Sequence, residues 1–295
     1  MRLLLRDCEV DLRRGRPRLM GIVNAGPDSF SERPGRRTLD QLERRGHAAA
    51  EQGADIVDVG GESGRSDREA VSEDEEAGRI VALVDRLVRG GLTVSVDTWR
   101  RGPARAALEA GAAMVNDVSA MAEPSIAALC ARHRAALVVT HTRTPPKTKA
   151  FPAYPDVMAD VAALLRERCT EAVAAGVPRE ALLLDPGLDL AKTPAESVEV
   201  LRRLPELDFL GRPFLLAVSR KDFVGALTGR APAERGAGTL AAVEPALDAP
   251  GAILRVHDVG ATADFLRVRS ALRGEDGAAR ARELPEELRR EEALG

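Results

Sequence analysis

Eight short apolar runs, each ending in a polar residue or glycine and most followed by a stretch of helical period, constrain this chain more than any other feature. They are "LMGIVN" (19–24), "ADIVDVGGES" (54–63), "LTVSVDT" (92–98), "AAMVNDVS" (112–119), "AALVVTHT" (135–142), "ALLLDPG" (181–187), "PFLLAVSRK" (213–221) and "AILRVHDVG" (252–260). Between them, Leu39, Leu42 and Ala49 follow a capping Thr38. Val157, Val161, Leu164 and Leu165, then Val198, Leu201 and Leu204, then Leu240, Val243 and Leu247 keep the spacing of one helix face. Runs of Val, Ile and Leu with little polar alternation belong to strands covered on both faces, as in parallel sheets. Eight such β-α units closing on themselves predict an α/β fold, a (β/α)8 TIM barrel in a single domain. A doubly wound open sheet is the structural alternative.

The length suits this reading, since 295 residues with 44% hydrophobic content can bury the core of one barrel-sized domain. Residues 1–17 alternate loosely around a Gly-Arg-Pro and are expected to form a hairpin-like extension closing the bottom of a barrel over 18–273. The end, 274–295, is charged, poor in apolar residues and broken by Pro285, which predicts a solvated helix or a disordered tail.

Charge and cysteine content exclude several function classes. Net charge is −3, with 43 Lys and Arg scattered among 46 Asp and Glu, so no basic stripe points to nucleic acid or an anionic membrane. Cys8, Cys130 and Cys169 are widely spaced with no CxxC, the N-terminus lacks a signal-peptide pattern, and no apolar run is long enough to span a bilayer. A reduced, cytoplasmic protein is expected.

In a barrel of this kind catalytic groups sit at the C-terminal ends of the strands. Asn24, Glu62, Asp97, Asn116, His141, Asp185, Lys221, Arg255 and His257 each lie at or just past such an end. Any one of them has an ordinary structural role open to it, as a helix cap for Asp97 or in a bulge for Asn116. Nine converging on one rim point to a site, because clustered desolvated polar groups are costly. Asp97, Asn116 and Asp185 suit a flat heterocycle that presents adjacent N–H and NH2 donors. Lys221, Arg255, His257 and Arg65, from the loop after the second strand, suit an anion such as phosphate or pyrophosphate. No GxxxxGKS/T loop and no GxGxxG accompanies them, which argues against a nucleoside triphosphatase or a nicotinamide dehydrogenase.

Taken together, "MGIVNAGPDSFS", "GADIVDVGGES", "SVDTWR", "NDVS", "LLLDPGLDLAKTP", "AVSRKDFVGALTGR", "ERGAGTLAA" and "RVHDV" resemble the dihydropteroate synthase family in order and spacing, over residues 18–272. The resemblance implies a (β/α)8 barrel, usually a homodimer, that joins p-aminobenzoate to 6-hydroxymethyl-7,8-dihydropterin pyrophosphate and releases pyrophosphate with Mg2+ assistance. It implies Asn24 at the metal and pyrophosphate, and Asp97, Asn116 and Asp185 along the pterin edge. Lys221 would lie near the pterin carbonyl and the acceptor, in the stretch Ser219-Arg220-Lys221. Arg255 would stack on the ring and hold the anion, with His257 on the pyrophosphate. Ser219 and Arg65 complete the substrate-binding set.

The chain departs from that pattern in its loops. Ala25-Gly26 stands where Val-Thr is usual, Gly64-Arg65-Ser66-Asp67 where Thr-Arg-Pro-Gly is usual, Asp189-Leu190-Ala191 where Gly-Phe-Gly is usual, and Ala217 where Gly is usual. A pterin-binding paralogue with a changed acceptor or little synthase activity, and a pterin-dependent methyltransferase, are the alternative functions. A methyltransferase has no pyrophosphate to hold, so Arg255, His257 and Lys221 speak against it.

Overall fold

The computed structural model describes residues 1–26, 38–62 and 70–274. In chain order its elements are β1 (Arg2–Leu4), β2 (Glu9–Asp11), β3 (Arg18–Asn24), α1 (Leu39–Glu51), β4 (Ile56–Gly60), α2 (Glu73–Arg89), β5 (Val94–Asp97), α3 (Arg101–Glu109), β6 (Met114–Asp117), α4 (Ser125–His133), β7 (Ala136–Thr140), α5 (Val157–Ala174), β8 (Leu182–Asp185), α6 (Pro194–Arg202), β9 (Phe214–Leu216), α7 (Asp222–Thr228), α8 (Gly236–Val243), β10 (Ala252–Val256) and α9 (Val259–Leu272). Strands β3 to β10 close in the order β10-β3-β4-β5-β6-β7-β8-β9, all parallel. The predicted barrel is the observed one, and each of the eight apolar runs holds one of its strands.

Side chains of a strand alternate between two faces, and paired residues of neighbouring strands share a face. Leu19, Val23, Val57, Val59, Val96, Val115, Val139 and Leu184 therefore point outward, where they join the large core packed under the helices. On the other parity Met20, Ile56, Met114, Ala136, Leu183, Leu215 and Ile253 fill the barrel interior. The same inward parity continues up the strands to Asn24, Asp58, Asp97, Asn116, Asp185 and Arg255. The interior is thus apolar at its N-terminal end and polar at its C-terminal end.

Strands β1 and β2 pair antiparallel, with Leu3 opposite Val10. Leu3, Leu5 and Leu12 pack into the interior cluster from below. Each such leucine contributes roughly 1.5–3 kcal/mol by leaving water. With that end filled by side chains, only the C-terminal mouth is left to receive a ligand.

Local sequence signals set the helix starts. Thr38 caps α1 with Gln41 in a reciprocal capping box, and Thr193 caps α6 with Glu196, Pro194 taking the first helical position. Some expected stretches were too long. Helix α6 ends at Arg202, and Leu204 already lies in a 3-10 turn. Helix α8 ends at Val243, and Glu244–Asp248 is a 3-10 turn, because Pro245 cannot continue the helix. In the run 213–221 only Phe214–Leu216 is strand, the remainder being rim loop. Among the described residues no helix is long and apolar enough to cross a membrane.

Candidate active site

The register places a row of residues at one height. Asn24 lies opposite Gly60, Gly60 opposite Asp97, and Asp97 opposite Asn116. Across the mouth, Arg255 reaches toward this row from β10. Its Nε donates to Asp58 Oδ2 at 2.6 Å and its Nη2 to Asp97 Oδ2 at 2.7 Å. Asn116 Nδ2 also donates to Asp58 Oδ2, at 3.3 Å. Asp58 is fully buried, and a buried carboxylate without a counter-charge is strongly unfavourable, so Arg255 is what allows it to exist there.

One guanidinium serves two carboxylates, and the imbalance shows at Asp97. Burial pushes its carboxyl up to about 7, with Asp58 and Glu76 adding to the rise and Arg255 and Lys221 opposing it. Near neutral pH that carboxyl is poised between acceptor and donor. Burial alone would lower Arg255, but Asp58 and Asp97 outweigh it and keep the guanidinium charged. Among the described residues, neither Asp58 Oδ1 nor Asn116 Oδ1, both buried, has a hydrogen-bond partner. Two unsatisfied acceptors beside a poised carboxyl are what a ring edge bearing N–H donors would satisfy.

Asp185, at the end of β8, is buried as well, which raises its pKa, while the Gly187 N–H donates to its Oδ1 at 2.7 Å. Gly187 has φ +69°, and a Cβ there would lie 1.8 Å from the His141 carbonyl oxygen, so no other residue fits. Lys221 caps the start of α7 and donates from Nζ to the Leu188 carbonyl at 2.9 Å. It opposes the rise at both Asp185 and Asp97, which brings it to the same mouth.

The rim where β9 and β10 end is basic. Ser219 Oγ accepts the His257 backbone N–H at 3.2 Å and lies 2.9 Å from His257 Nδ1, which leaves Nε2 for a ligand. A cavity of about 280 Å³ is lined by Arg45, Gln52, Arg220, His257, Asp258 and Val259 among others. Burial, and then Arg255, Arg220, Lys221 and Arg45, hold His257 down to about 4. A multiply charged anion would reverse the electrostatic part of that shift.

Of the nine strand-end residues, two do not join this centre. Glu62 is buried against Arg100 Nη2 at 2.9 Å and Lys147 Nζ at 3.1 Å, in a network that includes Glu76 and Thr98. His141 is fully buried against Lys192 and Asp160. Position at a strand end does not say which way a side chain turns once the strand has stopped. Conversely, Asp58 joins the centre from within its strand, where no strand-end position marks it. Its signal was present, a carboxylate within the strand "IVDVG", which cannot be buried there without a cation. Arg65 lies outside the described residues, as do Gly64 and the tail from residue 275.

The family model for pterin binding enzymes matches residues 20–257. The dihydropteroate synthase of Bacillus subtilis is 37% identical over 261 residues, covering 88% of this chain and 90% of that one. Two solved structures of Xanthomonas albilineans dihydropteroate synthase are similar throughout. The one with 4-aminobenzoic acid has a TM-score of 0.83 at 42% identity, covering 92% of this chain and 98% of that one. The complex with 7,8-dihydropteroate has a TM-score of 0.81 at 41% identity, covering 92% and 99%. Because the matched span runs from β3 through the basic rim at His257, with relatives covered almost end to end, this chain belongs to the dihydropteroate synthase family of pterin binding enzymes.

Proposed function

We propose that this chain is a transferase that condenses 6-hydroxymethyl-7,8-dihydropterin pyrophosphate with p-aminobenzoate, giving dihydropteroate and pyrophosphate. The observation that carries this is the bridge from Arg255 to Asp58 and Asp97, beside the unsatisfied acceptors of Asp58 and Asn116. It pairs a flat cation with acceptors for a flat, donor-rich ring. That solved family members hold 4-aminobenzoic acid and 7,8-dihydropteroate supports the substrate pair.

In this reading Asp97, Asn116 and Asp185, joined by Asp58, accept from the pterin edge, and Lys221 approaches its carbonyl. The guanidinium of Arg255, held flat by two carboxylates, stacks on the ring. Ser219 orients His257, and with Arg65 these residues hold the pyrophosphate. The C–O bond to pyrophosphate breaks with its electron pair leaving on the oxygen. The exocyclic methylene so left is attacked by the amine nitrogen, which then loses a proton to solvent. Cationic residues placed where the leaving group's charge develops are the main rate-enhancing element, and no covalent nucleophile is needed.

A Mg2+ ion fits the donor set. Asn24 offers a neutral amide oxygen at the rim, and among the described residues no group of three or more His, Cys, Asp or Glu forms a cage. Mg2+ typically keeps several waters and binds through substrate phosphates with one or two protein oxygens. Bound there by Asn24 and the pyrophosphate, it would neutralise leaving-group charge.

A homodimer and a cytoplasmic location belong to the same reading. Exposed Leu227 on α7 and Val268 and Leu272 on α9 offer apolar surface for a second copy. The test of the function is to incubate purified protein with both substrates and Mg2+ and separate the products. Dihydropteroate should form, and its absence under conditions where the protein is folded would overturn the proposal.

A further inference from the structure

The mechanism above makes no use of Lys192, a lysine at 1% exposure in the turn between β8 and α6. Its Nζ lies 2.6 Å from His141 Nδ1 and donates to the Gly187 carbonyl at 3.0 Å and the Leu190 carbonyl at 3.2 Å. An ammonium has three protons, and here it has three close acceptors. With His141 Nε2 facing Asp160 at 3.5 Å and carrying the ring proton, Nδ1 is an acceptor, and a neutral amine with two protons would lose one of the three.

The turn that these bonds hold is strained. Gly187, Asp189 and Ala191 all have positive φ, at +69°, +59° and +52°. The two non-glycine residues each cost about 1 kcal/mol or more and persist only where the surroundings enforce them. Besides Lys192, the enforcement comes from Asp189, whose carboxylate accepts from Ser197 Oγ at 3.2 Å and from the Asp222 backbone N–H at the start of α7. Tyr154 Oη donates to the Ala191 carbonyl at 2.8 Å.

The same turn carries two groups of the proposed site. Asp185 precedes it and is bonded by Gly187 N–H, and the Leu188 carbonyl, between the two carbonyls Lys192 grips, holds Lys221 Nζ. We propose that Lys192 is a positioning residue, whose buried ammonium pins the 186–191 turn and thereby sets Asp185, Lys221 and the start of α7 for the ring. This rests on the functional reading above for what Asp185 and Lys221 bind.

The titratable and charged groups around the pin are His141 after β7, Asp160 on α5, Arg143 and Tyr154 between them, Asp185 on β8, Glu196 on α6 and Lys221 before α7. His141 is held neutral, down to about 3, first by burial and then by Lys192. Burial pulls Lys192 down to about 7, against Asp185 and Asp160. The three-bond form is therefore lost as pH rises through the neutral range.

Lys192→Met tests the pin by amide hydrogen exchange and by calorimetric titration with 6-hydroxymethylpterin. Exchange at the Leu190 and Asp222 amides should quicken and pterin affinity should fall, each by about tenfold. In a Lys221→Ala background the same substitution should cost clearly less than tenfold, since part of its effect runs through Lys221. Asp97 titrates near 7 in both proteins, so the comparison decides: from about pH 7 upward wild-type pterin affinity should fall relative to that of Lys192→Met. Unchanged exchange or affinity, a fully additive loss beside Lys221→Ala, or an identical pH limb in both proteins would overturn the proposal. If Lys192→Met does not fold, the wild-type series decides alone, through a Leu190 protection factor, corrected for the base-catalysed rise in intrinsic exchange, that falls above neutral pH or stays constant. A wild-type chain with no pterin affinity would contradict the functional reading, and the exchange measurements would still decide the pin.

Discussion

Nη2 of Arg255 lies 2.7 Å from Oδ2 of Asp97, while Nε of the same guanidinium holds Asp58 at 2.6 Å. Removing Arg255 leaves two carboxylates inside the barrel mouth without their bonded cation, Lys221 alone still acting on Asp97. Arg255→Ala should therefore lower stability by about 3–5 kcal/mol above neutral pH. The folded Asp97 carboxyl already sits at about 7, above its unfolded value, so its own contribution to stability is largest at low pH and falls as pH rises toward 7. Without Arg255 it is pushed higher still, so the loss should be largest at high pH and shrink as Asp97 protonates. Urea unfolding at about pH 8 and about pH 5 checks this. An equal loss at both values would contradict the account.

Asp185→Asn probes the ring edge. A charged acceptor becomes an amide that can turn a donor toward another donor, which should weaken pterin binding by roughly 1.5–3 kcal/mol. Oδ1 also accepts from Gly187, so melting should be followed in parallel. Unchanged pterin affinity in calorimetry would remove Asp185 from the site.

His257 is neutral in the free protein because burial and four cations hold it down to about 4. An incoming pyrophosphate raises it, so binding at about pH 6 should take up to one more proton in the wild type than in His257→Gln. Calorimetry in two buffers of different ionisation enthalpy measures that difference. Equal uptake would mean that His257 does not read the anion.

Gly26 follows β3 by two residues, and among the described residues a Cβ there would meet nothing within 4 Å. A side chain is therefore accommodated without strain, and it would reduce the freedom of the chain entering that loop. Gly26→Thr should improve the apparent affinity for p-aminobenzoate several-fold while changing that for the pterin pyrophosphate little. Steady-state kinetics with each substrate varied in turn decides it, and an unchanged amine KM would make the glycine neutral.

Most of the barrel was legible because each strand is an uninterrupted apolar run with a clear stop, and period-two parity then fixes which residues face inward. The site was legible where it stays on that parity, as at Asn24, Asp97, Asn116, Asp185 and Arg255. It was not legible beyond the last strand residue. Glu62 and His141 turn away to meet Arg100 and Lys192, partners distant in sequence. Asp58 was hidden by its apolar neighbours, and its role depends on Arg255, 197 residues later. Leu247 fitted a helical period that Pro245 interrupts.

The most direct measurement of the central claim follows pyrophosphate release by purified protein from 6-hydroxymethyl-7,8-dihydropterin pyrophosphate and Mg2+, with and without p-aminobenzoate. The account predicts release that requires the amine and matches dihydropteroate one for one. Release that ignores the amine, or no release from a protein that binds the pterin, would contradict it and favour a pterin-binding relative with another acceptor.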